Sequence, residues 1–218
     1  MLVVIEGSDG IGKSTLLNNL IKTYPDMYKK FPVTFPTYKK EIQNSLTPRY
    51  IRDDLYDYLI ESKRGEISDL YFQLANLIDK VSHVNLVNEC KHDKDYIYLM
   101  DRYKPSGFVY GTLSLIDSGM NREEAIYICE EINKLIIDVD FEVFLHLDIK
   151  HILERINKRN EKKSVYENEM FLKNIIMAYQ DYFPKYVING VIVDASLSEK
   201  ELVEITHQHI IGVFENAV

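Results

Sequence analysis

Short apolar blocks recur along the chain and alternate with longer stretches of helical periodicity. The blocks lie at residues 2–5, 29–35, 96–100, 141–147 and 191–194. A strand that is buried on both faces carries a continuous apolar run rather than an alternating one. The five blocks therefore predict the strands of a parallel sheet. The amphipathic stretches between them predict helices on both faces of that sheet, which is an α/β fold.

The predicted helices carry apolar residues at helical spacing and end at proline, glycine or polar breaks. They cover residues 15–24, 37–46, 51–61, 67–84, 106–117, 121–135, 148–162, 166–183 and 198–214. The stretch after Gly65 keeps this spacing over the longest distance, through Leu70, Leu74, Ile78 and Val81. An apolar stripe of this kind normally faces a core, so we expect it to be buried in the domain.

Composition limits the classes of protein that the chain can be. The 218 residues, 46% of them hydrophobic, suffice for one domain over residues 1–218. A net charge of −8 argues against a nucleic-acid or membrane-surface partner. Cys90 and Cys129 have no zinc-ligand spacing, and no apolar run is long enough for a signal sequence or a bilayer span. We therefore expect a cytoplasmic protein with small-molecule partners.

A glycine-rich loop follows the first apolar block and precedes a helical stretch. It satisfies the pattern G-x-x-x-x-G-K-[ST] at Gly7, Gly12, Lys13 and Ser14. In such a loop the backbone N–H groups turn toward an anion at a helix N-terminus. Lys13 would reach the β- and γ-phosphates of a nucleoside triphosphate, and the Ser14 hydroxyl would ligate Mg²⁺. The predicted ATP-binding residues of the loop are Gly7, Gly10, Ile11, Gly12, Lys13, Ser14 and Thr15.

Other strand ends are expected at the same edge of the sheet, where ligands of parallel sheets collect. They carry Phe35-Pro36, Asp101-Arg102 and Asp194-Ala195. Asp101 is a candidate for the Mg²⁺ shell, with a helix N-cap as the alternative. The Arg102 guanidinium suits a phosphate, with a simple surface pair to an acid as the alternative.

A basic set follows the fourth block at helical spacing. Arg155, Lys158, Arg159 and Lys162 share one face, where like charges repel. An arriving polyphosphate would relieve that repulsion, so a mobile lid near residues 155–166 is one interpretation. A solvated helix face is the other.

Five motifs together resemble the thymidylate kinase family, in order and in spacing. They are the loop at residues 7–15, Phe35-Pro36, Asp101-Arg102-Tyr103-x-x-Ser106, residues 165–168 and residues 193–196. The resemblance covers nearly the whole chain. It implies a P-loop kinase fold with a five-stranded parallel sheet, a mobile lid, a homodimer, and transfer of the ATP γ-phosphate to dTMP in the presence of Mg²⁺.

The resemblance also implies roles for individual residues. Asp9 would hold the sugar hydroxyl of the acceptor, Arg102 its phosphate, and Phe72 would stack on its base. Tyr166 would crowd the 2′ position. Arg155 would lie against ATP, and the lid cations would supply charge in the transition state because Gly10 carries no side chain. The implied substrate-binding set is Asp9, Phe35, Pro36, Phe72, Asn76, Arg102, Ser106, Tyr110 and Tyr166, the catalytic set is Lys13, Arg102, Arg155, Lys158 and Arg159, and Ala195 joins the ATP site.

Three positions depart from the family pattern. Tyr38 replaces an arginine, with Lys39 or Lys40 as possible substitutes. Asn76 and then Leu77 stand where an arginine contacts the base, and Gly111 replaces a side chain that can hydrogen-bond the pyrimidine. The accepted base therefore stays open.

Several other functions are compatible with parts of the pattern. A deoxynucleoside monophosphate kinase of broader specificity, a deoxynucleoside kinase and a nucleotide-binding module without turnover all remain alternatives. A GTPase-like switch is disfavoured, because Asn133-Lys134 is not followed by the aspartate of an N-K-x-D signature.

Overall fold

The computed structural model describes residues 1–33, 35, 49–59, 63, 65–158 and 169–217. The described residues form five strands and nine helices. The strands are β1 (Leu2–Glu6), β2 (Tyr28–Lys30), β3 (Ile97–Asp101), β4 (Phe141–His146) and β5 (Gly190–Asp194). The helices are α1 (Lys13–Thr23), α2 (Arg49–Leu59), α3 (Asp69–Val81), α4 (Val84–His92), α5 (Lys104–Asp117), α6 (Arg122–Lys134), α7 (Ile149–Lys158), α8 (Glu169–Tyr186) and α9 (Glu199–Ala217).

All strands run parallel in the order β2-β3-β1-β4-β5. β1 lies at the centre, and its side chains alternate between two cores. Val3 and Ile5 join one hydrophobic cluster, whereas Leu2 and Val4 join another on the opposite face. The predicted α/β fold, a five-stranded parallel sheet covered on both faces, is therefore confirmed.

The strand register determines which residues meet beyond the sheet. Ile5 of β1 pairs with Asp101 at the end of β3, and Glu6 pairs with Phe144 of β4. The loop that begins at Gly7 therefore leaves the sheet beside Asp101.

The second strand is shorter than predicted. The pattern indicated a strand over residues 29–35, but the ladder of β2 ends at Lys30. Pro32 has no N–H to donate to a ladder. Phe31, Val33 and Phe35 are still buried, because they pack together in the cluster that contains Leu2 and Val4.

The prediction for the stretch after Gly65 is wrong in two respects. The helix is interrupted at Ser82 and His83, which separate α3 from α4. Its apolar stripe is also not buried in the chain. The exposed residues of that stripe are Leu70, Tyr71, Leu74, Ile78 and Val81, at 38–45%.

The opposite side of α3 faces the interior and includes polar residues. Its buried members are Phe72, Gln73, Ala75, Asp79 and Lys80. No helix in the described part of the chain is long and apolar enough to cross a membrane. The predicted helix at 37–46 lies outside the described residues.

Candidate active site

The glycine loop connects β1 to α1 as predicted. Gly12 precedes the first residue of α1 in a left-handed conformation, with φ of 108°. Lys13 lies at the start of the helix, and its ammonium donates a hydrogen bond of 2.8 Å to the Ser8 carbonyl oxygen. The loop therefore curves around the Lys13 side chain, as anion-binding loops do.

The Lys13 ammonium is almost fully buried. Burial and, after it, the positive charge of Arg102 together lower its pKa to about 8, against the opposing effect of the Asp101 and Asp9 carboxylates. The protonated form is therefore held less firmly than in an exposed lysine. An arriving phosphate would restore it.

Helix α7 packs directly over the glycine loop. A methyl group added to Gly10 would lie 2.5 Å from Cγ1 of Ile156, and Gly10 has a φ of +76°. Both the close approach and the backbone conformation require glycine. The absence of a side chain at Gly10 is thus a packing requirement of this fold.

Arg155, also on α7, connects the loop to the end of β5. Its guanidinium donates to the carbonyl oxygens of Ile11 at 2.7 Å and Ala195 at 3.0 Å. These residues border a cavity of about 310 Å³ that reaches Thr15 and Asn19 on α1. The predicted ATP-side residues Ile11, Thr15, Arg155 and Ala195 therefore lie at one cavity.

The end of β3 brings an acid to the helix that follows the loop. The Ser14 hydroxyl donates a hydrogen bond of 2.6 Å to Asp101 Oδ2. Asp101 does not cap α5, because that helix follows Tyr103 and has no side-chain cap. Hydroxyl and carboxylate oxygens are the ligands that Mg²⁺ prefers.

Arg102 is the centre of a buried network next to this pair. It is the one non-glycine residue with positive φ, 65°, among those that the structure describes. Its Nη2 lies 2.7 Å from Asp9 Oδ1, and its Nη1 donates to Ser106 Oγ at 2.9 Å and Tyr179 Oη at 3.3 Å. Tyr110 donates to Asp9 Oδ2 at 3.2 Å. Four predicted residues, Asp9, Arg102, Ser106 and Tyr110, are therefore brought together.

Glu6 supports this network and was not predicted. Its carboxylate is only 1% exposed. It accepts hydrogen bonds from the backbone N–H of Tyr103, the Ser106 hydroxyl at 2.6 Å and the Tyr179 hydroxyl at 2.8 Å. Burial, and after it the Glu6 carboxylate, raises the pKa of Tyr179, so that the phenol stays protonated and donates. The signal in the sequence is an acid at the end of an otherwise apolar strand.

The predicted residues on α3 lie on its inner side. Phe72 is 5% exposed, and its ring stacks on Tyr58 with centroids 4.0 Å apart and planes at 18°. The Asn76 amide donates to the Phe72 carbonyl at 3.0 Å, which keeps it close to its own helix. Base stacking by Phe72 stays a prediction.

Of the remaining predicted residues, one is buried, one is exposed and the others lie outside the described residues. Phe35 is 3% exposed and packs against Tyr103 and His83. Lys158 is exposed at the last turn of α7. Pro36, Tyr38, Arg159 and Tyr166 lie outside the described residues, as does the segment of the predicted lid after Lys158.

These features define a P-loop phosphotransferase: a glycine loop between β1 and α1, its lysine, and an Asp-Arg pair at the end of the neighbouring strand. The thymidylate kinase family model matches residues 5–206. The chain belongs to the thymidylate kinase family.

Individual proteins agree with this assignment. The probable thymidylate kinase of Picrophilus torridus is 28% identical over 195 residues, which is 88% of this chain and 83% of the relative. The structure of thymidylate kinase from Candida albicans has a TM-score of 0.68 at 23% identity, covering 95% of this chain and 92% of that one. Deoxyadenosine kinase from M. mycoides has a TM-score of 0.67 at 17% identity, covering 96% and 99%. At these identities the two structures show the fold.

Proposed function

We propose that the protein transfers the γ-phosphate of ATP to a deoxynucleoside monophosphate, with dTMP as the preferred acceptor. The observation that carries the proposal is the Asp9–Arg102 pair. It joins the donor loop to the end of β3, so that groups for both nucleotides lie within one network. Family membership supports dTMP as the acceptor.

On the donor side, the backbone N–H groups of the loop and the Lys13 ammonium receive the phosphates. Phosphoryl transfer needs positioning and charge neutralisation rather than covalent help from the protein. The cavity beside Arg155 would take the remainder of ATP. Lys158 and Arg159 would bring positive charge to the transferred group as the segment near residues 155–166 closes.

The Ser14–Asp101 pair would hold Mg²⁺. Two oxygen ligands fit an ion that completes its shell with phosphates and water. The described residues contain no cluster of three or more His, Cys, Asp or Glu side chains that could hold a metal ion. When bound, the ion neutralises charge on the β- and γ-phosphates.

On the acceptor side, Arg102 would bind the monophosphate and Asp9 the sugar hydroxyl. The contacts of Arg102 with Ser106 and Tyr179 hold the guanidinium in place before the acceptor arrives. Tyr110 orients the Asp9 carboxylate in the same way. A preorganised guanidinium loses less freedom on binding.

A deoxynucleoside kinase is the second candidate, and the fold likeness to deoxyadenosine kinase from M. mycoides favours it. The two are separated by incubating the protein with ATP, Mg²⁺ and either thymidine or dTMP, then identifying the products. We expect dTDP from dTMP and no dTMP from thymidine. The Lys13→Ala variant is the matched control and should give no product. ATP binding without any product would instead support a non-catalytic binding module.

A homodimer is proposed as the working form, assembled through the exposed stripe of α3. Apolar patches that a monomer leaves exposed mark interaction sites. Cys90 and Cys129 are buried free thiols, which suits a reducing cytoplasm.

A further inference from the structure

Two glycines on α5 face the inner side of α3. A methyl group added to Gly111 would lie 2.8 Å from Gln73 Oε1 and 3.1 Å from the Cys129 sulfur. A methyl group added to Gly107 would lie 3.5 Å from the Lys80 ammonium nitrogen. The missing side chains on α5 therefore leave room that two polar side chains of α3 fill.

A third contact fixes the direction in which the helices cross. Ser114 donates a hydrogen bond of 2.8 Å to Asp69 Oδ1, one α5 turn beyond Gly111. Along α5 the three contact positions are separated by four and then three residues, which places them on one face. Their partners on α3 occur in the reverse order. The two helices are therefore antiparallel, and Gln73 and Lys80 project between them.

Gln73 and Lys80 have no hydrogen bond or salt bridge among the residues that the structure describes. The two residues are only 6% and 7% exposed. Their polar atoms are nevertheless not among the fully buried side-chain atoms without a partner, so they reach solvent-accessible space. An amide and an ammonium placed in this way are available to a ligand.

The pair lies next to the groups assigned to the acceptor. Gly107 and Gly111 directly follow Ser106 and Tyr110, which contact Arg102 and Asp9. Asp79 and Glu6 act electrostatically on the Lys80 ammonium, and Glu6 also holds Ser106. An acceptor whose phosphate lies at Arg102 and whose sugar lies at Asp9 would extend its base toward this space.

We propose that Gln73 and Lys80 read the base of the acceptor and select one that carries carbonyl oxygens beside a ring N–H, as thymine and uracil do. The inference rests on the proposed function, because it places an acceptor at Arg102 and Asp9. Gly111 has no side chain that could hydrogen-bond the base of the acceptor. The proposal therefore assigns these hydrogen bonds to side chains of α3.

The chemistry of the two side chains sets the preference. An amide accepts one N–H and donates to one carbonyl, which matches the N3–H and a neighbouring oxygen of thymine. An ammonium has donors only, so Lys80 favours a second carbonyl oxygen and rejects an exocyclic amino group. Cytosine and adenine carry an amino group in place of this carbonyl oxygen, so they lose the hydrogen bond from Lys80.

The test measures binding of dTMP, dUMP, dCMP and dAMP to the full chain by titration calorimetry. For the wild type we expect dTMP and dUMP to bind at least about tenfold more tightly than dCMP and dAMP. Gln73→Leu should weaken dTMP binding by about tenfold or more. Lys80→Met should reduce the ratio of dTMP to dCMP affinity. ATP affinity should stay unchanged in both variants, which shows that each has folded.

Two glycine substitutions provide a second test and its matched control, and both retain Gln73 and Lys80. Gly111→Ala places a methyl group against the Gln73 amide and should lower the preference for dTMP. Gly212→Ala, on α9, makes the same change where a methyl group meets none of the described residues within 4 Å, and should leave the preference intact.

Each remaining outcome counts against one of the two proposals. Unchanged base preference in Gln73→Leu and Lys80→Met overturns the role of the pair, as does a wild type that binds all four nucleotides equally. Tight and selective binding without phosphoryl transfer to any monophosphate overturns the proposed function and leaves the base-reading role standing.

Discussion

Asp9 Oδ1 lies 2.7 Å from Arg102 Nη2, and this pair joins the glycine loop to the end of β3 across 93 residues of sequence. The exposed fractions of the two side chains are only 24% and 13%. The Arg102 backbone lies in the left-handed region, which a non-glycine residue adopts when its surroundings hold it there. The side-chain contacts of Arg102 supply that restraint.

Changing Asp9→Asn should therefore impair the acceptor site more than the donor site. The arginine loses a charged partner in a partly buried setting, which costs about 2 kcal/mol, or roughly thirtyfold in kcat/KM for dTMP. The KM for ATP should change by less than about twofold, because the loop glycines and Lys13 are unaltered. Steady-state kinetics with each nucleotide varied in turn provides the measurement.

Asp181→Asn is the control for that experiment. Asp181 pairs with Arg122 at 3.6 Å on the surface, where both side chains are largely exposed. Such pairs contribute about 0–1 kcal/mol, so the kinetics should match the wild type. A larger effect of Asp9→Asn on ATP than on dTMP would contradict the assignment of Asp9 to the acceptor.

The lowered pKa of Lys13 predicts proton uptake on ATP binding. With a pKa of about 8 in the free protein, Lys13 is largely deprotonated at about pH 9. Bound phosphates raise that pKa again, so ATP should take up close to one proton at about pH 9 and almost none at about pH 6.5. Calorimetry in buffers of different ionisation enthalpy counts the protons.

The matched variant in that measurement is Lys13→Arg. An arginine stays protonated throughout this range, so uptake should disappear while a positive charge is retained. Equal uptake in the variant would assign the proton to another group.

Glu142 predicts a pH dependence of stability. Burial and, after it, the carboxylates of Glu6 and Asp138 together raise its pKa from 4.5 to about 8, against the opposing effect of Lys104. The folded state therefore binds more protons than the unfolded state between these two values. The free energy of unfolding should fall as the pH rises from 4.5 to 8.

Glu142→Gln removes the titrating group. The variant should be more stable than the wild type at about pH 8 and should show a shallower decline across that window. Urea unfolding at several pH values measures both. Parallel curves for the two proteins would mean that Glu142 is not the group responsible.

The exposed stripe of α3 predicts that the dimer is sensitive to charge. Leu74 and Ile78 are 43% and 45% exposed on one face. Leu74→Asp should yield a monomer in sedimentation velocity, because a buried unpaired carboxylate is unfavourable in an apolar interface. Tyr127→Asp, on α6 and 61% exposed, is the control and should leave the dimer intact. A wild type that sediments as a monomer would refute the proposed assembly.

Local sequence patterns were sufficient to predict the parallel sheet and the glycine loop on the donor side of the site. The runs before Glu6 and Asp101 are continuous and apolar, and the loop from Gly7 to Ser14 lies between a strand and a helix, so each could be interpreted from a short window. Arg102 was found for the same reason, since it directly follows a buried strand. Parallel strands then bring such ends to one edge of the sheet.

Contacts between residues that are far apart in the sequence could not be predicted from such local patterns. The Glu6 carboxylate meets Tyr103 and Tyr179, which are 97 and 173 residues away. The outward stripe of α3 has the same periodicity as a buried one, and tertiary contacts such as the packing of Gln73 against Gly111 show which side faces the interior. Periodicity gives the width of an apolar face but not the identity of what covers it.

The contact between Gly10 and Ile156 has a consequence for how this chain can change over time. A larger residue at position 10 would require both a shift of α7 and a change in the φ of +76° at that position. A smaller side chain at 156 relieves only the first of these requirements. A cationic residue at position 10 of the loop therefore cannot arise by one tolerated substitution.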